Sequence, residues 1–255
     1  YCPERVLPGN ILFELVNNDR VIGGISKNCA IRAKEFYKIF VNSDCLLTDC
    51  RTAEMSKLVE NSYRDVNIAF ANELSIISDK LEINVWELIN LANHHPRVNI
   101  LQPGPGVGGH CIAVDPWFVV DSAKGEAKLI KEARLRNTYK TEWVIEKIKN
   151  TALLFEKENK RLPDIACLGL AFKPNIDDLR ESPALYVAQS LKKDNFNILA
   201  VEPNIDSHKD FNVCKLEDAI NKADILVYLV SHTEFFGVDE KGKVVLDFCG
   251  VKKDA

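Results

Sequence analysis

Cys111 closes a stretch, Pro103-Gly104-Pro105-Gly106-Val107-Gly108-Gly109-His110-Cys111, in which four glycines and two prolines fix an irregular loop. Glycine lets a backbone pass where any Cβ would clash, so such a loop can approach a ligand closely. Asp115 stands four residues further on, after the short apolar run Ile112-Ala113-Val114. A thiol on a rigid loop with a carboxylate nearby suits covalent catalysis. The same residues also read as a surface turn followed by a small buried cysteine. His110 is a poor partner base, because a nucleophile and its base normally converge from separate segments. A cysteine–histidine hydrolase or acyltransferase is therefore disfavoured.

Other candidates lie far away in the sequence. Lys57, Asn61 and Asp65 recur at i, i+4 and i+8 and share one helix face. A lysine there suits an oxyanion, and a carboxamide suits a hydroxyl or a water. The plain alternative is a solvated face. Arg97 leads into the glycine loop and is the kind of group that clamps a diphosphate through two hydrogen bonds, or pairs with a surface carboxylate. The preceding His94-His95 pair points in different directions and has no carboxylate–histidine set beside it, so no metal is expected. Glu4, between Pro3 and Arg5, says nothing on its own.

Three regions must position these groups. Residues 1–50 are short and mixed, with the run Val21-Ile22-Gly23-Gly24-Ile25, an amphipathic helix over 30–40 and a strand over 45–48. They read as the tail of a dinucleotide-binding domain. Residues 51–140 read as helical. No Pro or Gly interrupts 52–80, and Met55, Leu58, Val66, Phe70, Leu74 and Ile77 recur at three- and four-residue spacing. Such a helix spans about 40 Å, a length suited to a dimer interface or a spine. Asn84 with Glu87 predicts a capped helix that ends before Pro96, and the glycine loop separates it from a further helix over 125–158.

From Pro163 the period changes. The apolar run over 165–172 predicts a buried parallel strand, and Ser182-Pro183 a capped helix running to about 193. A strand over 198–201, a helix over 216–222 and strands over 225–230 and 244–248 follow. The alternation predicts a doubly wound α/β domain over 141–255. The polar loop 173–180 lies at the carboxyl end of its first strand, where such sheets bind ligands. A solvated connector is the other reading.

The 255 residues are 46% hydrophobic and 27% charged, with net charge -4 and scattered basic residues. Those numbers fit two domains and give no footprint for nucleic acid. No stretch of about 18 apolar residues and no signal peptide is present, so no membrane partner is expected. Eight cysteines without a CxxC pair fit reduced thiols, and a cytoplasmic location is expected. The opening Tyr1-Cys2 lacks an initiator Met and reads as part of something longer.

Taken together, Tyr1-Cys2-Pro3-Glu4-Arg5-Val6-Leu7-Pro8-Gly9, Ser56-Lys57-Leu58-Val59-Glu60-Asn61, the glycine–cysteine loop and the stretch from Gly169 to Pro183 resemble the UDP-glucose/GDP-mannose dehydrogenase family. The resemblance implies a helical central dimerisation domain followed by a Rossmann-like, UDP-binding C-terminal domain. It implies a four-electron oxidation of a nucleotide sugar at C6, with two NAD consumed. Cys111 would form a thiohemiacetal and then a thioester, which water hydrolyses. Lys57 would hold the oxyanion, Asn61 would orient substrate or water, and Asp115 would assist proton transfer. Glu4 would serve the hydrolytic water. Gly108, Gly109, Phe172 and Lys173 would hold the UDP-sugar, joined by Arg97 from the neighbouring subunit of a homodimer built on helix 52–80. Arg180 would reach the NAD phosphates.

Two departures stand out. Pro8 replaces a second glutamate of the glucose branch, and His110 replaces a small residue, where it either lowers the thiol pKa or simply packs. The glycine-rich NAD fingerprint is not found, so these residues alone are expected to be inactive. The motifs favour N-acetylmannosamine over N-acetylglucosamine or glucose. A β-hydroxyacid-type dehydrogenase, which needs no cysteine, and a non-catalytic nucleotide-sugar-binding or dimerisation module are the competing readings.

Overall fold

In the computed structural model, which describes residues 1–6 and 10–252, the chain forms two units, 1–63 and 64–255. Pro8 and its neighbours Leu7 and Gly9 lie outside the described residues.

In the first unit, helix α1 (Ile11–Asn17) precedes strand β1 (Arg20–Gly24), helix α2 (Lys27–Tyr37) and strand β2 (Cys45–Asp49). The two strands pair in parallel, with Ile22 opposite Leu47, so β1, α2 and β2 form a right-sized β–α–β unit. The Ser26 side chain accepts the Cys29 amide and starts α2 three residues before the apolar pattern suggests. Ile22, Val41 and Cys45 make a small core against Tyr37 and Phe40. Helix α1 was not foreseen, because five of its seven residues are apolar and show no amphipathic pattern, and none of them is buried.

Helix α3 (Cys50–Leu81) is the long helix expected from the uninterrupted sequence. In the second unit it is followed by α4 (Val85–Asn93), whose Asn84 cap accepts from the Trp86 and Glu87 amides. Helix α5 (Asp115–Ser122) was not foreseen: Asp115-Pro116 begins a helix rather than prolonging the loop. Helix α6 (Lys128–Asn159) runs alongside α3. Four polar rungs join the pair. Arg134 meets Asp65 at 2.5 Å, and Asn72 donates to Asn137 at 2.8 Å. Lys140 donates to Ser75 and Lys147 to Asp79, both at 2.7 Å. Partner numbers rise together, so the two helices point the same way.

Strands β3 (Asp164–Leu168), β4 (Asn197–Val201), β5 (Ile225–Tyr228) and β6 (Val244–Asp247) form one parallel sheet in the order β4-β3-β5-β6. Strand β3 stops four residues before the apolar run ends, because Gly169 turns the chain at φ +92 and a Cβ there would lie 2.5 Å from Val230. One face of the sheet buries Ile165, Cys167 and Val227 against α6 and α7 (Pro183–Lys193). The other buries Ala166, Leu168 and Leu226 against α8 (Leu216–Lys222). This is the doubly wound arrangement. From β3 the chain moves outward to β4 and then crosses back to β5, so a crevice opens at the carboxyl ends of β3 and β5.

Candidate active site

Cys111 is exposed, and the loop before it is locked from below. Gly109, at φ +84, rests against the Phe172 ring, and its amide donates to the Arg180 carbonyl at 3.3 Å. A Cβ at Gly108 would lie 2.5 Å from the Glu181 carbonyl and 2.8 Å from Phe172 Cβ. The two glycines are therefore required by the neighbouring loop of the same chain, whatever ligand also meets them. Beyond the thiol, the Asp115 amide donates to the Cys111 carbonyl at 2.8 Å, which places the carboxylate one tight turn away at the start of α5. The structure thus brings together Cys111, Asp115, Gly108, Gly109, Phe172 and the Arg180 backbone.

Lys173 and Arg180 are exposed on the loop after β3. Arg180 clasps Asp178 through Nε at 2.9 Å and Nη2 at 2.6 Å. Those bonds hold the Asp178 carboxyl below its usual range, with a smaller contribution from His110. Arg97 is exposed after α4, and its amide donates to His95 Nδ1 at 3.3 Å. Among the described residues no cluster of three metal-ligating side chains is found.

In the first unit, Asn61 is buried and Lys57 half-buried on α3. The third member of that helix face, Asp65, is fully buried and committed to Arg134 and Asn137, which removes it from the solvated face the spacing allowed. Glu4 accepts from Arg20, whose guanidinium is buried over the Tyr37 ring. Arg5 pairs with Glu60 at 2.5 Å and so ties the Glu4 loop to the helix carrying Lys57 and Asn61.

A group that sequence reasoning missed sits at the crevice. Glu202, just past β4, is buried and accepts the Leu170 and Ala171 amides at 2.8 and 2.9 Å. His232, just past β5, accepts the Asn175 amide on Nδ1, which leaves Nε2–H to donate to Glu202 at 3.0 Å. Burial opposes the Glu202 charge, yet these donors pull its pKa down to about 2. The network braces the loop that carries Phe172 and Lys173. An acid directly after a parallel strand was the only sequence signal for it.

A β–α–β unit, a glycine loop ending in an exposed thiol and a doubly wound sheet with a braced crevice define a nucleotide-binding α/β protein with a loop-borne cysteine. Three sequence models of one family match the chain: the NAD binding domain over 1–41, the central domain over 51–139 and the UDP binding domain over 166–254. The chain belongs to the UDP-glucose/GDP-mannose dehydrogenase family. It is 55% identical to a UDP-N-acetyl-D-mannosamine dehydrogenase of Campylobacter jejuni, aligning over 98% of this chain and 61% of that one. It is 52% identical to an NDP-N-acetyl-D-galactosaminuronic acid dehydrogenase of Ralstonia nicotianae, over 98% of this chain and 60% of that one. The solved UDP-D-ManNAc dehydrogenase of Pyrococcus horikoshii is 37% identical with a TM-score of 0.87, covering 100% of this chain and 61% of that one. The chain thus spans about three fifths of the length of these relatives.

NAD is the cofactor that goes with this family. In the first unit a Cβ at Gly24 would lie 2.4 Å from the Ser26 carbonyl and 2.6 Å from the Ala30 nitrogen, so α2 packs directly on the end of β1. That close strand–helix packing fits a dinucleotide fold, and the exposed Arg180 guanidinium fits a phosphate charge. Gly104, Gly106 and Gly109 have the spacing of a dinucleotide fingerprint, but no strand precedes them and the next helix starts only at Asp115. They are not the phosphate cradle.

Proposed function

We propose that the whole protein oxidises the C6 hydroxyl of UDP-N-acetyl-D-mannosamine to a carboxylate, with Cys111 as covalent catalyst. The observation that carries this reading is the exposed Cys111 thiol on a loop pinned against Phe172 and Arg180, with Asp115 one turn on. Each of the two oxidations removes one hydride and one hydroxyl proton at C6, the first giving the aldehyde, and two NAD molecules bound in turn would each accept one of those hydrides. The Cys111 sulfur adds to the C6 aldehyde, a carbon–sulfur bond forms, and the thiol proton passes to the oxygen through Asp115. Loss of hydride and the hydroxyl proton leaves a thioester. Water then attacks the carbonyl carbon, the carbon–sulfur bond breaks, and the acid and free thiol are released. Covalent capture retains the aldehyde, and a thioester is electrophilic enough to hydrolyse.

Lys57 is assigned the oxyanion and Asn61 a substrate hydroxyl or water, both by residue type and resemblance. Glu4 is assigned the hydrolytic water. Its partner Arg20 holds the carboxylate in place to meet that water. Phe172 and Lys173 take the uridine diphosphate at the crevice, Arg180 the dinucleotide phosphates, and Arg97 the substrate of a partner subunit. Among the described residues no helix is long and apolar enough to cross a membrane.

The 52% identity to a protein named for N-acetyl-D-galactosaminuronic acid supports a second reading, with a galacto-configured sugar in the same chemistry. The test is to count NADH formed per sugar consumed for the whole protein and its Cys111→Ser variant across UDP-N-acetylmannosamine, -galactosamine, -glucosamine and UDP-glucose. Two NADH per mannosamine sugar, lost in the variant, is the expected result. One NADH per sugar, or turnover indifferent to Cys111, refutes the covalent mechanism, and preference for another sugar refutes the substrate.

A further inference from the structure

A cleft of about 680 Å³ opens between the carboxyl end of α3, the start of α4, the middle of α6 and β6. It lies within the second unit, and none of the groups assigned above lines it. Three flat aromatic side chains, Trp86, Trp143 and Phe248, stand in its walls among polar and charged ones. Lys140 projects into it from α6 and is only 2% exposed. The Lys140 Nζ lies 4.0 Å from the Trp143 ring centroid, and its one hydrogen bond is to Ser75, whose hydroxyl is itself spent on the Asn72 carbonyl. An ammonium carries three donors, so two remain unspent. One turn along α3, Ser78 also lines the cleft, and its hydroxyl is buried and has no hydrogen-bond partner among the described residues. Buried polar groups left in this state are costly unless something meets them.

The charges facing the cleft decide what that something is. From α3 and its end come Asp79 and Glu82, from α6 Lys147, and from the end of β6 Asp247 and Lys252. Lys147 is paired with Asp79 and Lys252 with Glu240. Asp247 accepts the Cys249, Gly250 and Lys252 amides. Among the described residues facing the cleft, Lys140 is the cation without an ion pair, and Asp79, already paired with Lys147, acts on it only from a distance. A single negative charge completes the site, while the second charge of a phosphate would face Glu82 and Asp247 with no cation to meet it.

We propose that this cleft binds a small aromatic monocarboxylate, its ring against Trp86, Trp143 and Phe248 and its two oxygens on Lys140 and Ser78. The cleft also reaches Pro103, the first residue of the loop that ends in Cys111, so an occupant touches the root of that loop. The proposal stands apart from the dehydrogenase reading and survives its failure.

Binding is linked to a proton. Burial pushes the free Lys140 down to about 7, and a bound carboxylate favours its charged form. The test is a benzoate titration of the whole protein, read by the fluorescence of Trp86 and Trp143. Saturable quenching is expected at about pH 6, weakening roughly thirtyfold by about pH 8.5, since one proton taken up gives tenfold per unit above pH 7. Lys140→Met abolishes it, and Lys140→Arg keeps it but flattens the pH dependence, because arginine stays charged. If Lys140→Met does not fold, calorimetry of the unaltered protein decides: benzoate binding at about pH 8 takes up a proton. Absent quenching, equal affinity at both pH values, no proton uptake, or competition by inorganic phosphate as strong as by benzoate would each overturn the proposal.

Discussion

Glu202 and Lys140 are both buried and ionisable, and they respond to opposite pressures. The Glu202 carboxylate gathers the His232 N–H and the Leu170 and Ala171 amides, and these outweigh its burial. Its pKa of about 2 lies below the ordinary 4.5, so the folded state binds fewer protons there than the unfolded one. Its stabilisation is full above pH 4.5 and is lost as pH falls towards 2. Glu202→Gln should cost about 3 kcal/mol at neutral pH, the scale for losing hydrogen bonds to a buried charged group. Urea titrations should show a shallower loss of stability for the variant between pH 4.5 and 2. Lys140 has gathered one hydroxyl, and burial wins. Neither residue was legible in sequence. Lys140 sits in a helix rich in Lys and Glu, where it looks like every solvated lysine beside it. The Cys111 loop was legible because glycine and proline declare their own backbone. The reason for its glycines was not, since it lies in Phe172 and Glu181, more than sixty residues away.

Elements with local punctuation were read well. Ser182-Pro183 opens α7 with the Ser182 hydroxyl accepting the Leu185 amide, and Asn84 opens α4. Helix α5 escaped because its Val114 cap position makes no side-chain cap bond and only eight residues follow. Helix α3 was evident from its length, and its exposed face is the more telling part. Met55, Val59, Tyr63, Phe70, Ile77 and Leu81 all lie exposed at helical spacing along one stripe. We propose that this stripe is the homodimer interface. Phe70→Glu with Ile77→Glu should convert the whole protein to monomers by light scattering while leaving the helical circular dichroism intact. A dimer that survives both charges would place the interface elsewhere.

Across the molecule, the sheet was the most legible feature and the polar pairing of long helices the least. Parallel strands announce themselves as short apolar runs such as Ile225 to Tyr228, all four buried. The rungs between α3 and α6 join residues 65 to 69 positions apart through side chains that sequence treats as surface. Three of the rungs are buried and one is open. Asp65 and Arg134 are nearly sealed, whereas Lys147 and Asp79 are each more than a third exposed. Salt screens the open rung far more than the closed one. Such a ladder has a weak end and a strong end, so it should open like a zipper from Asp79 towards Asp65. Amide hydrogen exchange in α3 should then be fastest around Asp79, slower from Ser75 to Asp65, and that contrast should grow as salt is raised. Uniform exchange along the helix would mean that the rungs let go together.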